Sequence, residues 1–419
     1  MFGNLISVIH LGAPGSVEHS TMQDVLSIYV PSFFIFLGMS IISPILPLYA
    51  KTFDVSFTLV SLAISMYAFG RFLADLPVGV VADRFGRKPL MVVGTLLLAV
   101  TAFMNALARN FWEFLFYRLV QGLGSSMWMT SRTTLLADIL KPEERGRIMS
   151  YFQAFMLLGS SAGPTIGGLV ATWWGIRAPF YFYGLTGLIS LILTMIWIKE
   201  PEGVREKHSQ GPSFSSQAVR RLLSNRSYSM ACLATFTVFF MRTGIRGTMI
   251  PLYADGVLGL DESSIGTVIS YATIMNLIMT IPIGYAIDYF GRKPPIIASL
   301  ILTALSSYVF PQTSDYIQIS LAAVLLGIGT SGAGQAPLAL ASDATIDEPH
   351  GLSMGLYRLF GDIGFVVGPI ILGMIADGYG LRMPFYFMTG LILVSAVLLQ
   401  VFARETYSKR KSAEVKSGD

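Results

Sequence analysis

The chain has 419 residues, of which 53% are hydrophobic and only 13% are charged, and its mean hydropathy is +0.62. Soluble globular domains carry about 25% charged residues, so this composition excludes a soluble enzyme. The net charge of +4 is small and predicts no nucleic-acid partner. The single cysteine, Cys232, excludes an intramolecular disulfide framework.

Apolar segments long enough to cross a bilayer recur along nearly the whole chain. A transmembrane helix needs about 20 predominantly apolar residues, and twelve segments meet that condition. They lie at residues 26–50, 56–82, 89–108, 111–138, 148–172, 177–198, 228–254, 262–288, 293–311, 315–341, 352–376 and 383–403. The sequence therefore predicts an all-α integral membrane protein with twelve transmembrane helices.

The basic residues of the loops predict the orientation. If both termini face the cytoplasm, about 19 Lys and Arg residues lie on the inner side and only four on the outer side. Cytoplasmic loops carry the excess of Lys and Arg. We therefore predict a multi-pass protein of the plasma (inner) membrane with both termini in the cytoplasm. Residues 1–24 lack the basic start and cleavage site of a signal peptide and are interpreted as a short cytosolic tail.

The longest polar stretch, residues 199–228, divides the spans six and six. Its Gly, Ser and Pro content predicts a flexible tether, and residues 217–224 are consistent with a short surface helix. We predict three parts: a six-helix bundle over residues 1–198, a cytoplasmic linker over 199–227, and a second six-helix bundle with a basic tail over 228–419.

Many residues recur at one fixed distance along the chain. The surroundings of Asp83 recur 205 positions later around Asp288, without a gap. The residues that recur include Pro77, Gly79, Asp83, Gly86, Arg87, Lys88, Pro89, Asp138, Gly163, Pro164 and the Pro179–Phe182 run. So many matches at one offset indicate two homologous halves in parallel orientation. Such an architecture suits alternating access around a site near the membrane midplane.

Several motifs lie in the predicted loops and helices. A Gly-x-x-x-Asp-Arg-x-Gly-Arg-Lys loop at 79–88 joins the second and third spans, and a weaker copy lies at 284–293. Others are Tyr117–Gly122 in the fourth span, Gly159–Gly168 in the fifth and Gly38–Pro47 in the first. With these motifs the sequence resembles the major facilitator superfamily over essentially its whole length, in particular its twelve-helix drug:proton antiporter branch. The resemblance implies the major facilitator fold of two pseudo-symmetric six-helix bundles.

The resemblance assigns a role to charged residues at the cytoplasmic loops. It implies a charge network of Asp83 and Arg87 with Asp138, at the cytoplasmic end of the fourth span. The repeat preserves these three positions in the second half, so we predict two latches that stabilise the outward-facing state when closed. Their residues are Asp83, Arg84, Arg87, Lys88, Asp138, Asp288, Arg292 and Asp343. Alternatively, the Arg-Lys loops merely follow the positive-inside rule.

Glycines give the fifth span a face without side chains. Small residues let helices approach closely in lipid, and a proline within a helix frees one backbone carbonyl. The resemblance implies that this helix packs against a helix of the other half and limits leak, whereas the alternative is plain close packing. The residues are Gly159, Gly163, Pro164, Gly167 and Gly168, and Gly368 and Pro369 repeat the pattern in the eleventh span.

Charged residues inside the spans are costly in hydrocarbon and normally face a cavity or a partner. Arg71 and Asp75 in the second span stand four residues apart and so share a helix face. Arg358 and Asp362 repeat this spacing in the eleventh span. Each pair either neutralises itself or contains a protonation site that releases its arginine on taking up a proton. Arg118 has no acidic neighbour one turn away, and the resemblance implies a position near the cavity, with a role in coupling or substrate contact.

Three further arginines have no acid nearby in sequence, namely Arg132 in the fourth span and Arg242 and Arg246 in the seventh. A cavity that contains them would attract anionic or amphiphilic substrates, unless acids from other helices pair with them. Exporters of cationic drugs in the resembling family commonly carry an acid in the first span, and residues 25–50 have none. Aromatic residues either line the cavity or serve packing alone, and they are Phe33, Phe34, Tyr67, Trp128, Tyr151, Phe155, Tyr271 and Tyr357.

Together these features predict a proton-coupled secondary transporter that exports a small amphiphilic or anionic compound by alternating access. An uptake symporter on the same fold is the alternative, and an integral-membrane enzyme or receptor is a third interpretation. The sequence has no phosphate-binding loop for ATP and no hydrolase motif, so we expect no catalytic residue, cofactor or metal. The expected partners of this monomer are a small-molecule substrate, protons and the lipid bilayer.

Overall fold

The computed structural model describes residues 19–139, 142–198, 216–345 and 350–405. The first half contains α1 (His19–Ile42), α2 (Leu46–Lys51), α3 (Phe57–Phe85), α4 (Arg87–Leu107), α5 (Phe111–Ile139), α6 (Pro142–Trp174) and α7 (Ala178–Trp197). After α8 (Ser216–Ser224), the second half contains α9 (Arg226–Met241), a π-helix (Arg242–Met249), α10 (Ile250–Gly256), α11 (Glu262–Phe290), α12 (Lys293–Val309), a 3₁₀ turn (Phe310–Gln312), α13 (Tyr316–Asp343), α14 (His350–Tyr379) and α15 (Met383–Phe402). No strand occurs within these described residues, which confirms the all-α prediction.

The helices follow the predicted spans closely, with two interruptions. Among the described residues, ten helices are long and apolar enough to cross a membrane, by length and composition. The first span is divided into α1 and α2, because Pro44 and Pro47 disfavour a continuous helix there. The seventh span is divided by the π-helix, which the sequence did not predict. α8 corresponds to the short surface helix predicted in the linker.

Glycine makes the two tight turns of the repeated loop motif. Gly86 separates α3 from α4 with a φ of 98°, and Gly291 separates α11 from α12 with a φ of 94°. Residues with a side chain rarely adopt this conformation. Each glycine therefore permits the chain to reverse and places a basic pair at the start of the next helix.

The two halves have the same internal arrangement and meet through two interfaces. In the first half, α1 packs against α6 and α7, and α5 packs against α3 and α4. In the second half, α9 packs against α14 and α15, and α13 packs against α11 and α12. Between the halves, α3 packs against α14 and α11 packs against α6. The two interfaces are thus related by the repeat.

The contacts between the halves lie toward one side of the molecule. We name the side where α1 begins and α15 ends the terminal side, and the opposite side the distal side. Near the distal side, Gly168 of α6 packs against the backbone of Glu262, and Gly373 of α14 packs against α3 at Ser61. Nearer the terminal side, Arg358 faces α3 but its side chain is 57% exposed. The halves are therefore in contact on the distal side, and solvent can enter the space between them at the level of Arg358.

Candidate functional site

An ion pair joins the two halves near the middle of α3 and α14. The guanidinium of Arg71 donates to the carboxylate of Asp362 over 2.6 Å, and the two side chains are only 15% and 14% exposed. Arg358 lies 4.0 Å from Asp75 and 3.9 Å from Asp362. Asp75 also accepts a hydrogen bond from Ser126 of α5. Two arginines and two aspartates therefore form one charge network between the halves.

This network differs from the pairing within one helix that the spacing offered. Arg71 lies four residues from Asp75 but bonds Asp362 in the other half. The reason is that α3 and α14 face each other at this depth, so a long arginine side chain reaches the opposite helix. The pair within α14, Arg358 with Asp362, is longer and more exposed. The charges thus bridge the two halves of the molecule.

Only one of the two interfaces between the halves carries this network. The repeat places Asn276 and Thr280 of α11 at the positions of Arg71 and Asp75. Asn276 donates a hydrogen bond to Thr330 over 3.1 Å within its own half. Because the corresponding interface is uncharged at these positions, the network is a departure from the repeat rather than a consequence of the fold.

Two further arginines, Arg242 and Arg246, lie on the π-helix. Arg242 is exposed and Arg246 is half-buried. Neither makes an ion pair or hydrogen bond within the described part of the chain. Arg242 is close enough to Arg71 for their charges to repel each other. π-Helices are often found at functional sites.

These side chains give the space between the halves a surplus of positive charge. Arg71, Arg242 and Arg358 are opposed there by Asp75 and Asp362 among the described residues, and Arg246 follows Arg242 by four residues on the π-helix. Charges act over longer range in a medium of low dielectric constant than in water. This space can therefore attract an anionic group.

Arg118 is held inside the first half rather than at the network. Its Nε donates to the carbonyl of Ala63 over 3.2 Å, and its guanidinium also donates to Gln121. The guanidinium lies 4.7 Å from the ring centre of Tyr67, whose hydroxyl donates to Ser125 over 2.6 Å. Arg118 is 5% exposed. The structure therefore gives it polar and aromatic partners that the sequence did not reveal.

Arg132 is enclosed by aromatic rings within the first half. Its guanidinium lies 4.5 Å from the ring centre of Phe152, 4.6 Å from that of Trp128 and 5.6 Å from that of Phe36. Two of its nitrogens have no hydrogen-bond partner among the described residues. Arg132 and Trp128 were predicted as cavity residues, but both are buried between α1, α5 and α6. Cation–π contacts replace the acid that would normally accompany a buried arginine.

The other predicted cavity aromatics are placed differently from one another. Tyr67 and Tyr357 are buried, whereas Tyr271 is 38% exposed. Phe34 is half-buried and packs edge-to-face against Phe33. The structure therefore does not gather these rings at one surface. The side chain of Tyr151 lies outside the described residues, and Phe155 is half-buried against Phe33 and Tyr29.

The second copy of the loop motif forms a charge cluster at the terminal side. Arg292 donates to Asp343 over 2.9 Å and lies 3.6 Å from Asp288. Glu405, after α15, accepts hydrogen bonds from the backbone amides of Arg292 and Lys293, each over 2.9 Å. Glu405 was not predicted, although the repeat pairs it with another glutamate 205 positions earlier. The Arg292–Asp343 pair is formed while the distal side is closed.

Two basic residues of the first copy of the motif make the same hydrogen bonds to backbone carbonyls as their counterparts in the second copy. Arg87 is buried and donates to the carbonyl of Ala82 over 3.1 Å, as Arg292 does to the carbonyl of Ile287. Lys88 donates to the last turn of α7, as Lys293 does to that of α15. Arg84 is exposed beside Phe85. The side chains of the two acids in this predicted latch, Asp83 and Asp138, lie outside the described residues.

The glycines of α6 serve two different contacts. Gly159, Gly163 and Gly167 pack against α1 of the same half, whereas Gly168 packs against α11 of the other half. Pro164 also meets α11, through its carbonyl. Within this motif, Gly168 and Pro164 therefore contact the other half, whereas Gly159, Gly163 and Gly167 contact their own.

The glycines of α14 divide in the same way. Gly368, next to Pro369, packs against α9 of its own half at Phe240, and Gly373 meets α3 of the other half. Each helix thus uses one glycine for its own half and a later one for the partner half, Gly168 directly after Gly167 in α6 and Gly373 some way beyond Gly368 in α14.

Alanine at Gly167 and at Gly168 should have distinguishable effects. A methyl group at Gly167 would overlap the backbone of Ile41, so we expect the melting temperature to fall by about 5 °C. A methyl group at Gly168 would overlap Glu262 across the interface, so we expect a shift away from the distal-closed form with little loss of stability. Thermal unfolding in detergent and distance measurements between the halves check both. Equal unfolding temperatures for the two variants would contradict this assignment.

The comparison with known protein families agrees with this architecture. The sequence profile of the Major Facilitator Superfamily matches residues 28–261 and 231–418. The chain therefore belongs to the Major Facilitator Superfamily, whose members are multi-pass membrane transporters and not enzymes.

Individual relatives match over nearly the whole chain. Multidrug resistance protein 2 of Bacillus subtilis (strain 168) is 24% identical over 373 residues, which cover 88% of this chain and 92% of that protein. Quinolone resistance protein NorA of Staphylococcus aureus (strain COL) is 26% identical over 385 residues, which cover 90% of this chain and 96% of that protein. These relatives confirm the predicted family and its drug:proton antiporter branch.

A solved structure shows the same fold. It is that of a bacterial homolog to the human lysosomal transporter Spinster, in an inward-facing and unoccupied conformation. The TM-score is 0.76 at 15% sequence identity, with 93% of this chain and 96% of that chain covered. This likeness confirms the major facilitator fold.

Proposed function

We propose that the protein is a proton-coupled secondary transporter that exports a small amphiphilic or anionic compound by alternating access. The observation that carries the proposal is the ion pair of Arg71 and Asp362, because it joins two halves that must separate during transport. A charged Asp362 holds the halves together, and a protonated one releases Arg71. Proton binding and the conformational equilibrium are then linked.

We further propose that the terminal side faces the cytoplasm. The excess of Lys and Arg in the loops of that side supports this orientation. The structure is then inward-facing, with substrate access from the cytoplasm at the depth of Arg358. In this state the Arg292–Asp343 pair is already formed. A latch specific to the outward-facing state therefore requires contacts from this cluster to the other half.

The direction of transport is inferred from the relatives. Proteins named for multidrug resistance and quinolone resistance match nearly the whole chain. Export of a drug-like compound against its gradient requires an energy source, and a proton gradient acting through Asp362 or Asp75 supplies one. The two halves and the linker between them are the parts that we propose to move relative to each other.

Uptake by proton symport is the second candidate, and Arg242 and Arg246, which have no acidic partner among the described residues, favour it for an anionic substrate. Protonation of Asp362 frees Arg71 and adds one more uncompensated positive charge to the space between the halves. A proton and an anion then strengthen each other's binding, because linkage is reciprocal. Such cooperation favours movement of both in one direction. Antiport instead requires a substrate whose binding opposes protonation, as that of a weakly basic amphiphile in its charged form would.

A liposome experiment separates the two candidates. Purified protein is reconstituted at symmetric pH with a pH-sensitive dye inside, and anionic, neutral and cationic compounds are added outside in turn. Antiport predicts a rise of luminal pH, because protons leave as the substrate enters. A fall would establish symport. Accumulation of a radiolabelled compound with no pH change in the wild-type protein would refute proton coupling, and empty liposomes are the control.

A further inference from the structure

A polar contact between the halves lies at the distal end of α3 and α14. The carboxylate of Asp377 accepts hydrogen bonds from the backbone amides of Phe57 and Thr58, over 2.8 and 2.9 Å, and from the Thr58 hydroxyl over 2.6 Å. Asp377 belongs to the second half, and Phe57 and Thr58 begin α3 of the first half. All three hydrogen bonds therefore cross between the halves.

This contact provides hydrogen-bond acceptors for the first backbone amides of α3. The first backbone amides of a helix have no partner within the helix. Ser56, the residue before α3, accepts a hydrogen bond from the amide of Leu59 over 3.3 Å. Asp377 accepts from the two amides before Leu59, so the capping of α3 is shared between the two halves. A negative charge is also favourable at this end of a helix dipole.

The repeat supplies a weaker counterpart of the same contact. Thr172 of α6 stands 205 positions before Asp377, and Ser263 of α11 stands 205 positions after Thr58. The Thr172 hydroxyl accepts a hydrogen bond from the amide of Ser263 over 3.2 Å. The N-termini of α3 and α11 are therefore each capped from the other half, α3 by a carboxylate with three hydrogen bonds and α11 by a neutral hydroxyl with one.

Glycines allow both contacts to form. Gly373 and Gly168 each stand four residues before the capping side chain, and each packs against the first turn of the opposing helix. A side chain at either glycine would hold the helices apart. The backbone of each interface is thus shaped for the capping residue to reach the helix end.

We propose that Asp377 is the clasp that sets the balance between the distal-closed and distal-open forms, with Thr172 as its weaker counterpart. The three hydrogen bonds to Asp377 must break whenever the distal side opens. Hydrogen bonds to a charged group are stronger than neutral ones, but this carboxylate is exposed and water replaces part of what is lost. The proposal depends neither on the substrate nor on proton coupling.

Distances between spin labels test the clasp directly. Replacing the single Cys232 with serine gives a background without cysteine. Trp112→Cys with Ile317→Cys labels the distal side, and Ile196→Cys with Val401→Cys labels the terminal side. All four positions are exposed, and each pair is related by the repeat. Pulsed electron paramagnetic resonance then measures the distance between the two labels of each pair, and the distance distributions give the populations of the two forms in the full chain.

We expect Asp377→Ala to raise the distal-open population about tenfold relative to the distal-closed one, with a shorter distance on the terminal side. Asp377→Asn should have a smaller effect, because its carbonyl oxygen still accepts one hydrogen bond, and Thr172→Val a smaller effect again. Unchanged distributions in Asp377→Ala would overturn the proposal, as would equal effects of Asp377→Ala and Thr172→Val. Should the alanine variant fail to fold, unchanged distributions in Asp377→Asn would overturn it as well.

Discussion

Replacing Asp362 with asparagine should abolish proton-driven transport while leaving substrate exchange intact. The carboxylate bonds Arg71 over 2.6 Å, and the two side chains are 14% and 15% exposed. Asparagine carries no charge at any pH, so the variant resembles the protonated form permanently and cannot release a proton. Net transport driven by a pH gradient is therefore expected to be lost, because proton uptake and release at this site no longer bias the two forms.

Two assays on the same liposomes measure this effect. One follows net transport driven by a pH gradient, and the other follows exchange of labelled for unlabelled substrate at symmetric pH. Asn276→Ala is the matched control, because Asn276 occupies the repeat position of Arg71 in the uncharged interface. Loss of exchange together with net transport would make Asp362 a structural residue. Net transport with the wild-type pH dependence would remove Asp362 as the proton carrier and leave Asp75.

The sequence predicted the features that depend on local composition. Hydropathy placed the twelve spans because a bilayer imposes a length of apolar helix. The repeat indicated the two halves, and its loop motif contains Gly86 and Gly291, which make the turns with a positive φ that few other residues adopt. These features need no knowledge of which helix faces which.

The partners of the charged residues could not be predicted in the same way. The spacing of Arg71 and Asp75 allowed an ion pair within α3. Arg71 instead pairs with Asp362 because α3 packs against α14, which the sequence spacing does not show. Arg132 looked like a cavity residue, since nothing in the sequence shows that rings from three helices enclose it. A charge in a span can be satisfied by a distant acid, a ring or a cavity, and sequence spacing does not distinguish these.

Asp377 shows where the repeat held unused information. An acidic residue at the end of a span is usually solvated, so its position in the sequence offered no reason to predict a contact for Asp377. Alignment of the two halves shows that Asp377 is equivalent to Thr172 and that Thr58 is equivalent to Ser263. Two side chains that can cap a helix at equivalent ends of equivalent helices indicate a shared contact. That inference still needs the fold, because it must be known that α14 and α6 each meet the second long helix of the other half.

Replacing both Arg242 and Arg246 with glutamine should weaken the binding of anionic substrates about a hundredfold and leave the binding of neutral amphiphiles unchanged. Both residues belong to the π-helix, and neither has an acidic partner in the part of the chain that the structure describes. A hydrogen bond to a charged group contributes about 1.5 kcal/mol or more, so the loss of two accounts for the expected factor. Competition of anionic and neutral compounds against a labelled substrate measures the two affinities.

Arg220→Gln with Arg221→Gln is the matched control, because it removes the same net charge from the surface helix α8. If the surplus charge between the halves selects the substrate, this control keeps the wild-type preference and the π-helix variant loses it. Equal loss for anionic and neutral compounds would contradict a charge-selecting site. A selective loss for anions, with the luminal pH response to neutral compounds retained, would assign recognition to the π-helix and proton coupling to the α3–α14 interface. Substrate charge could then be altered without altering the proton pathway.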